Sequence, residues 1–190
     1  MTENNDSMQV DAELKELIDA SKENNRLAQE KLYRKFAKPF FHIALSYCAD
    51  REAAKEVLQE SFIKIFKSLG QYNFEGAFEG WMRRILVNTS IDYHRKNSKM
   101  SFYTDINDVK VADKLEWFDP GGSKINTDAI LDEVKKLPEG ARMVFNLFAI
   151  EGYSHKEIAI KMHISESTSK SQYARAKSLL SSWLKTEYHG

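Results

Sequence analysis

Between Asp50 and Gly70, the residues Ala54, Val57, Leu58, Ser61, Phe62, Ile65 and Leu69 recur in steps of three and four. That is the period of an α-helix with a single stripe to bury. It constrains the fold more than any other feature of the chain, because a helix of this kind must pack its stripe on another element. Asp50 is placed to cap the helix start, where a side-chain oxygen can accept from the unpaired N–H groups of the first turn. Gly70 is placed to stop it, since glycine accepts the left-handed conformation that ends many helices. The period returns in Leu14, Leu17 and Ile18, and again in Leu27, Leu32, Phe36 and Phe40 through Leu45. It recurs in Met82, Ile85, Leu86 and Thr89, on a helix expected from about Trp81 to Lys96 with Arg84, Asn88, Ile91 and Arg95 on another face. Only 8 glycines and 3 prolines interrupt 190 residues, which favours long helices over a turn-rich β architecture. Pro39 predicts a kink or boundary. The expected class is all-α, with two small helical domains joined by a flexible acidic linker.

The distribution of charge locates the domains. Lysine plus arginine equals aspartate plus glutamate, 28 of each, so the average argues against a nucleic-acid partner. The charges are segregated, however. Residues 81–99 carry a net +4 before counting His94, residues 154–185 carry a net +4, and residues 101–128 carry a net −3. Two basic modules flank an acidic connector. The expected division is a helical bundle over 1–98, a linker over 99–127 and a helical domain over 128–190. The linker holds "DPGG" and four aromatics, Phe102, Tyr103, Trp117 and Phe118, with no sustained period.

The C-terminal module reads as a helix-turn-helix. "TDAILDEVKKLP" predicts one helix and "EGARMVFNLFAIEG" a second, with Met143, Val144, Leu147 and Phe148 inward. Ser154 can cap a short third helix that turns Ile158, Ala159 and Met162 inward. "HIS" is a tight turn with Ile164 as a plug, and Ser165 can cap a fourth helix. On that last helix Tyr173, Ala176, Leu180 and Trp183 face the core. Ser167, Thr168, Lys170, Ser171, Ala174 and Arg175 are left outside. Helix propensity does not explain "SESTS", because short hydroxyl side chains compete with the helical backbone for hydrogen bonds. At a helix N-terminus they can donate to phosphates, while Lys170, Gln172 and Arg175 can reach base edges in a major groove.

Other classes are disfavoured. The single Cys48 excludes an intramolecular disulfide and fits a reducing compartment. The polar start "MTENNDSMQ" lacks the blocks of a signal peptide, and no apolar run approaches the ~18 residues of a membrane span, so a cytoplasmic protein is expected. His42, His94, His155, His163 and His189 are scattered without metal-ligand spacing, and there is no glycine-rich phosphate loop. Neither an enzyme nor a cofactor is expected. A stand-alone helix-turn-helix regulator is the alternative, and residues 50–96 discriminate against it, since their Gln-Glu helix and basic-aromatic block serve no evident purpose there.

Three stretches together resemble the extracytoplasmic-function (ECF) sigma factors, promoter-specificity subunits of bacterial RNA polymerase. They are "DREAAKEVLQESFIKIFKSL", "FEGWMRRILVNTSIDYHRK" and "LPEGARMVFNLFAIEGYSHKEIAIKMHISESTSKSQYARAKSLL". Ser169 and Ser167 depart from the family, where Val and Gly are common. The resemblance implies that Glu56, Gln59 and Glu60 dock on core RNA polymerase. It implies that the loop from Tyr72 to Gly80, with Tyr72, Asn73 and Phe74, and the helix bearing Arg84, Asn88 and Arg95 open the minus-ten element of promoter DNA and hold a flipped base. Thr168, Lys170, Ser171, Gln172 and Arg175 would read the minus-thirty-five element. The linker would thread near the polymerase active site and RNA exit path. An anti-sigma factor, often membrane-bound in the family, is the remaining partner implied.

Overall fold

A computed structural model describes the backbone over residues 3–97 and 133–188, with side chains over 12–97 and 133–183. The expected linker, and the start of the helix expected from Asp128, lie outside the described residues. Among the described residues there is no strand. The chain divides into two compact units that do not follow chain order. One draws on Met1–Ala44 and Glu52–Thr89, the other on Leu45–Arg51 and Ser90–Gly190.

The first unit contains helix α1 (Glu3–Lys22), most of α2 (Arg26–Tyr47), nearly all of α3 (Arg51–Ser68), a 3-10 turn (Leu69–Gln71) and the first half of α4 (Phe78–Asn97). Asn24 takes a left-handed conformation between α1 and α2. Asn25 then caps α2, its Oδ1 accepting from the N–H groups of Leu27 and Ala28 at 3.0 and 3.1 Å. Every position of the predicted α3 stripe is buried, Ala54 through Leu69. Ser61 is tolerated there because its hydroxyl donates to the Val57 carbonyl one turn back, at 2.6 Å. Phe40 and Phe62 meet at 6.4 Å between centroids, and Phe36 meets Phe78 edge-on at 5.8 Å. Each fully buried aromatic or aliphatic side chain contributes about 1.5–3 kcal/mol relative to exposure.

One expectation is narrowed here and one corrected. Pro39 lies inside α2, so of the kink or boundary expected there the boundary is excluded. Pro39 and Lys35 are both exposed, so the carbonyl deprived of its i+4 donor can be met by solvent. Ile91 is 3% exposed, not on the polar face with Arg84 and Asn88. Val87 and Ile91, four residues apart, add a second buried line on α4 beside Met82 and Leu86.

The second unit gathers the ends of α2 and α4 with the C-terminal helices: α5 (Glu139–Phe145), a π-helical turn (Asn146–Ile150), α6 (His155–Met162) and α7 (Glu166–Tyr188). Residues 133–136 are helical and precede Pro138, which opens α5. Val134, Leu137, Ala141, Phe145, Ala176 and Leu180 form one core, with Tyr173, Leu179 and Trp183 packed on it. The segment expected as one continuous helix widens at Asn146. The Glu151 N–H reaches back five residues to the Asn146 carbonyl at 3.0 Å, and Gly152, at φ 76°, ends the turn. Asn146 is fully buried and its amide donates to the Ser46 carbonyl at 2.7 Å, while the Tyr47 hydroxyl donates to Glu151 at 2.8 Å.

Candidate nucleic-acid interface

The helix-turn-helix is built by capping at each of its corners. Ser154 and Glu157 form a reciprocal capping box at the start of α6: the Ser154 hydroxyl accepts from the Glu157 N–H at 3.3 Å, and the Ser154 N–H donates to the Glu157 carboxylate at 2.8 Å. The Ser154 hydroxyl also donates to that carboxylate at 2.7 Å, and this bond first, with the one from the Ser154 N–H second, holds the Glu157 carboxyl below the usual carboxylate range. At the far end His163 takes a left-handed conformation, and the Ile164 N–H closes on the Ala159 carbonyl at 3.1 Å. Ser165 then caps α7 by accepting from the Thr168 N–H at 2.9 Å.

The hydroxyl-rich start of α7 serves several ends. Ser165 is the cap, and its Oγ also lies 2.7 Å from the hydroxyls of Ser167 and Thr168. Ser171 donates to the Thr168 carbonyl at 3.0 Å. Ser169 faces inward with no exposure, and its Oγ lies 2.9 Å from Nδ1 of His155. The His155 ring stacks on Phe148 at 4.3 Å, with the planes 13° apart. Burial, with Lys170 and Lys177 nearby, pushes the His155 pKa below its ordinary value, so the neutral ring is favoured.

On the outer face of α7, Lys170 and Ser171 are exposed and Thr168 and Arg175 half-buried. Lys170 pairs with Glu166 at 2.7 Å, which holds that carboxyl low. Gln172 departs from the expected outward placement. It is half-buried and its amide oxygen is enclosed without a hydrogen-bond partner. Lys177 lies over the Tyr173 ring at 5.0 Å.

In the first unit, the loop between the 3-10 turn and α4 is shaped by local hydrogen bonds. The Tyr72 N–H donates to the Leu69 carbonyl at 3.1 Å, and the Tyr72 hydroxyl to the Gly76 carbonyl at 2.8 Å. Asn73 accepts from the Glu75 N–H at 3.2 Å, an Asx turn. Between them Phe74 takes φ 64°, a left-handed conformation rare for a residue with so large a side chain, and the residue is 40% exposed. Tyr72, expected to present its ring, is 5% exposed. It packs against Phe74, Phe78 and Trp81 at centroid distances of 5.1, 5.1 and 5.4 Å, so it supports the loop from beneath. Burial raises its hydroxyl pKa.

On α4, Arg84 and Asn88 are exposed one turn apart. Arg95 lies two turns further on, in the residues of the second unit, and pairs with Asp92 at 3.5 Å. On α3 the face opposite the stripe carries Glu56 and Gln59, both exposed, and half-buried Glu60, whose carboxylate meets Lys64 at 3.2 Å. Among the described residues no group of three or more His, Cys, Asp or Glu is gathered as metal ligands. No helix among them is long and apolar enough to cross a membrane.

Two features escaped the sequence reading. The His155–Ser169 pair spans fourteen residues, and nothing in the order of residues announces it. The other had a signal: Lys15 and Lys22 are seven residues apart on α1, which is two helical turns and hence one face. Both ammonium groups lie over the Phe74 ring, at 5.6 and 4.3 Å from its centre.

The family described as "Sigma-70 region 2" matches residues 32–100, and "Sigma-70, region 4" matches residues 127–180. Among curated proteins, the chain is 28% identical over 160 residues to the ECF RNA polymerase sigma factor SigE of Mycolicibacterium smegmatis, covering 82% of this chain and 61% of that one. The chain thus spans about three-fifths of that relative's length. It is 24% identical to the RNA polymerase sigma-H factor of Pseudomonas aeruginosa, covering 85% and 89%. It is 28% identical to the ECF RNA polymerase sigma-E factor of Haemophilus influenzae, covering 72% and 77%. A solved structure of the sigma factor RpoE of Bartonella quintana, with the anti-sigma factor NepR, superposes with a TM-score of 0.46 at 17% identity, covering 82% of this chain and 96% of that one.

Proposed function

We infer how the work is divided along this chain from one fact: it belongs to the sigma-70 family, among its ECF members. We propose that it binds bacterial core RNA polymerase, directs it to promoter DNA and helps open the duplex, with no chemistry of its own. The observation that carries this reading is the pairing of two different DNA-facing modules on one chain. The helix-turn-helix with the outer face of α7 suits duplex reading in a major groove. The loop at Phe74, followed by exposed Arg84 and Asn88 on α4, suits a displaced strand, because an aromatic can stack on a base, an amide can bond its edge and a guanidinium can hold its phosphate. A duplex-binding regulator gains nothing from that second surface.

In this assignment Lys170, Ser171 and Arg175 address the minus-thirty-five element, with Thr168 at the helix start and Gln172 turning outward on contact. Asn73, Phe74, Arg84, Asn88 and Arg95 address the minus-ten element, with Tyr72 as their support. Glu56, Gln59 and Glu60 meet basic groups on the polymerase, where charge complementarity gives orientation and fast association. The protein works in the cytoplasm, and an anti-sigma factor is the class of protein that would restrain it.

The test is run-off transcription of fragmented genomic DNA by core polymerase with and without the chain. The expected result is new initiation at discrete sites that share two upstream elements. Specific duplex binding by the chain alone, with no new initiation when core is added, would favour the stand-alone regulator.

A further inference from the structure

Helix α1 lies outside the residues matched by either family description, which begin at residue 32. Yet it reaches a strained aromatic of the first unit, Phe74. Lys22 donates to the Tyr72 carbonyl at 2.8 Å, so α1 fixes the backbone from which the loop springs. The same ammonium lies 4.3 Å from the centre of the Phe74 ring, and that of Lys15, two turns back, lies 5.6 Å from it. Asp19 is the carboxylate facing Lys22, at 3.8 Å and half-exposed, too distant for a direct hydrogen bond. Lys15 is exposed. Two cations therefore converge on a surface aromatic that the backbone holds in an unfavourable conformation.

We propose that Lys15 and Lys22 form, with Phe74, a cation-aromatic clamp for single-stranded DNA, in which the ring takes the base and the two ammonium groups take the phosphates beside it. This rests on the strand-opening role proposed above and adds α1 to it. In a single strand each base is tethered to its own phosphate, so ammonium groups that leave the ring as the base arrives stand beside that phosphate. The cation–π contacts hold the lysines at the ring in the absence of DNA. Strand entry exchanges ring for phosphate without unfolding the loop, because the Lys22–Tyr72 hydrogen bond uses one of three donors. The left-handed Phe74 is the strained residue that such a role accounts for.

The test uses holoenzyme assembled from core polymerase and the chain, with a promoter recovered in the run-off experiment and pre-melted across its minus-ten region. Affinity is measured across a salt series for wild type, Lys15→Gln, Lys22→Gln, the double variant, Lys22→Arg and the exposed α2 control Lys31→Gln. Removing a cation that neutralises one phosphate of a single strand should reduce the slope of log affinity against log salt by about 0.7. The clamp predicts that reduction for each glutamine variant and about twice that for the pair, with Lys22→Arg and Lys31→Gln keeping the wild-type slope. An unchanged slope in the double variant overturns the proposal. So does weakened binding at unchanged slope, which would make the lysines mere props for the loop. If Lys22→Gln lowers the melting temperature, Lys15→Gln decides, since it leaves the Tyr72 hydrogen bond in place. A wild-type holoenzyme that binds no promoter would overturn the sigma-factor reading itself, whereas wild-type binding with unaltered variants overturns only the clamp.

Discussion

Nδ1 of His155 and Oγ of Ser169 lie 2.9 Å apart, joining the first turn of α6 to the inner side of α7. This polar pair stands where an apolar contact would suffice to hold a recognition helix. Ser169 has no exposure, so its hydroxyl depends on the histidine for a side-chain partner. Ser169→Ala is expected to destabilise the second unit by about 1 kcal/mol, the net worth of a typical hydrogen bond. Chemical denaturation followed by Tyr and Trp fluorescence measures it. Stability equal to wild type would mean that the pair contributes nothing.

The same pair sets a pH dependence. The folded protein holds the His155 pKa below the ordinary 6.5, through burial first and neighbouring lysines second. As pH falls, the unfolded chain takes up this proton before the folded one, so stability is full above about 6.5 and declines below it. Glu139, whose carboxyl is held low chiefly by its 2.6 Å contact with His94, contributes in the same direction only below its ordinary 4.5. Thermal melts through the higher window should therefore flatten in His155→Gln. A His155→Gln profile parallel to wild type would contradict the assignment.

On α3, Glu60→Lys together with Gln59→Ala reverses one charge and removes one amide on the face opposite a completely buried stripe. The helix loses one ion pair, Glu60 with Lys64, worth a few tenths of a kcal/mol. Core-polymerase association should weaken while helical content and melting temperature stay nearly constant. Unaltered association, by fluorescence anisotropy of labelled chain with core, would sink the polymerase-docking role of this face.

For α7, Lys170→Ala or Arg175→Ala should cost about 1–3 kcal/mol of promoter binding if the residue reads a base, and relax preference at one position of the minus-thirty-five element. A loss spread evenly over all sequences would reassign that residue to a phosphate. Lys170 must first leave Glu166, so Glu166→Gln is expected to strengthen DNA binding modestly at low salt.

Much of this fold was legible because one-sided helices write their period into the chain. The α3 stripe is buried at each predicted position, and Ser154 and Ser165 cap α6 and α7 as their spacing implied. What was not legible depends on contacts between distant residues. A single stripe on α4 places Ile91 on the face of Arg84 and Asn88, whereas Leu86, Val87, Thr89, Ser90, Ile91 and His94 are all buried around the helix. Tyr72 looked like a loop aromatic free to stack, but its hydroxyl finds Gly76 and its ring is enclosed by three others. The π-helical turn at Asn146 follows from a buried amide that reaches Ser46, a hundred residues away, and local propensity carries no trace of it. In the candidate interface, the residue types and the helices that carry them were readable, and the grip of α1 on Phe74 was not, since it joins residues more than fifty positions apart.

The role proposed for Asn88, capture of a displaced base, is separable from duplex binding by experiment. It is exposed one turn beyond Arg84, on the helix that follows the Phe74 loop. Asn88→Ala in holoenzyme should leave closed-promoter binding largely intact and lower open-complex formation, and a pre-melted template should partly restore transcription. Equal failure on duplex and pre-melted templates would remove Asn88 from base capture.

Permanganate reactivity of thymines in the minus-ten region measures directly whether this chain makes core polymerase open promoter DNA. With core polymerase and the chain together on a run-off promoter, those thymines should become reactive, while core alone and chain alone should leave them protected within the duplex. Specific duplex binding by the chain, with thymines that stay unreactive in the presence of core, would contradict the account.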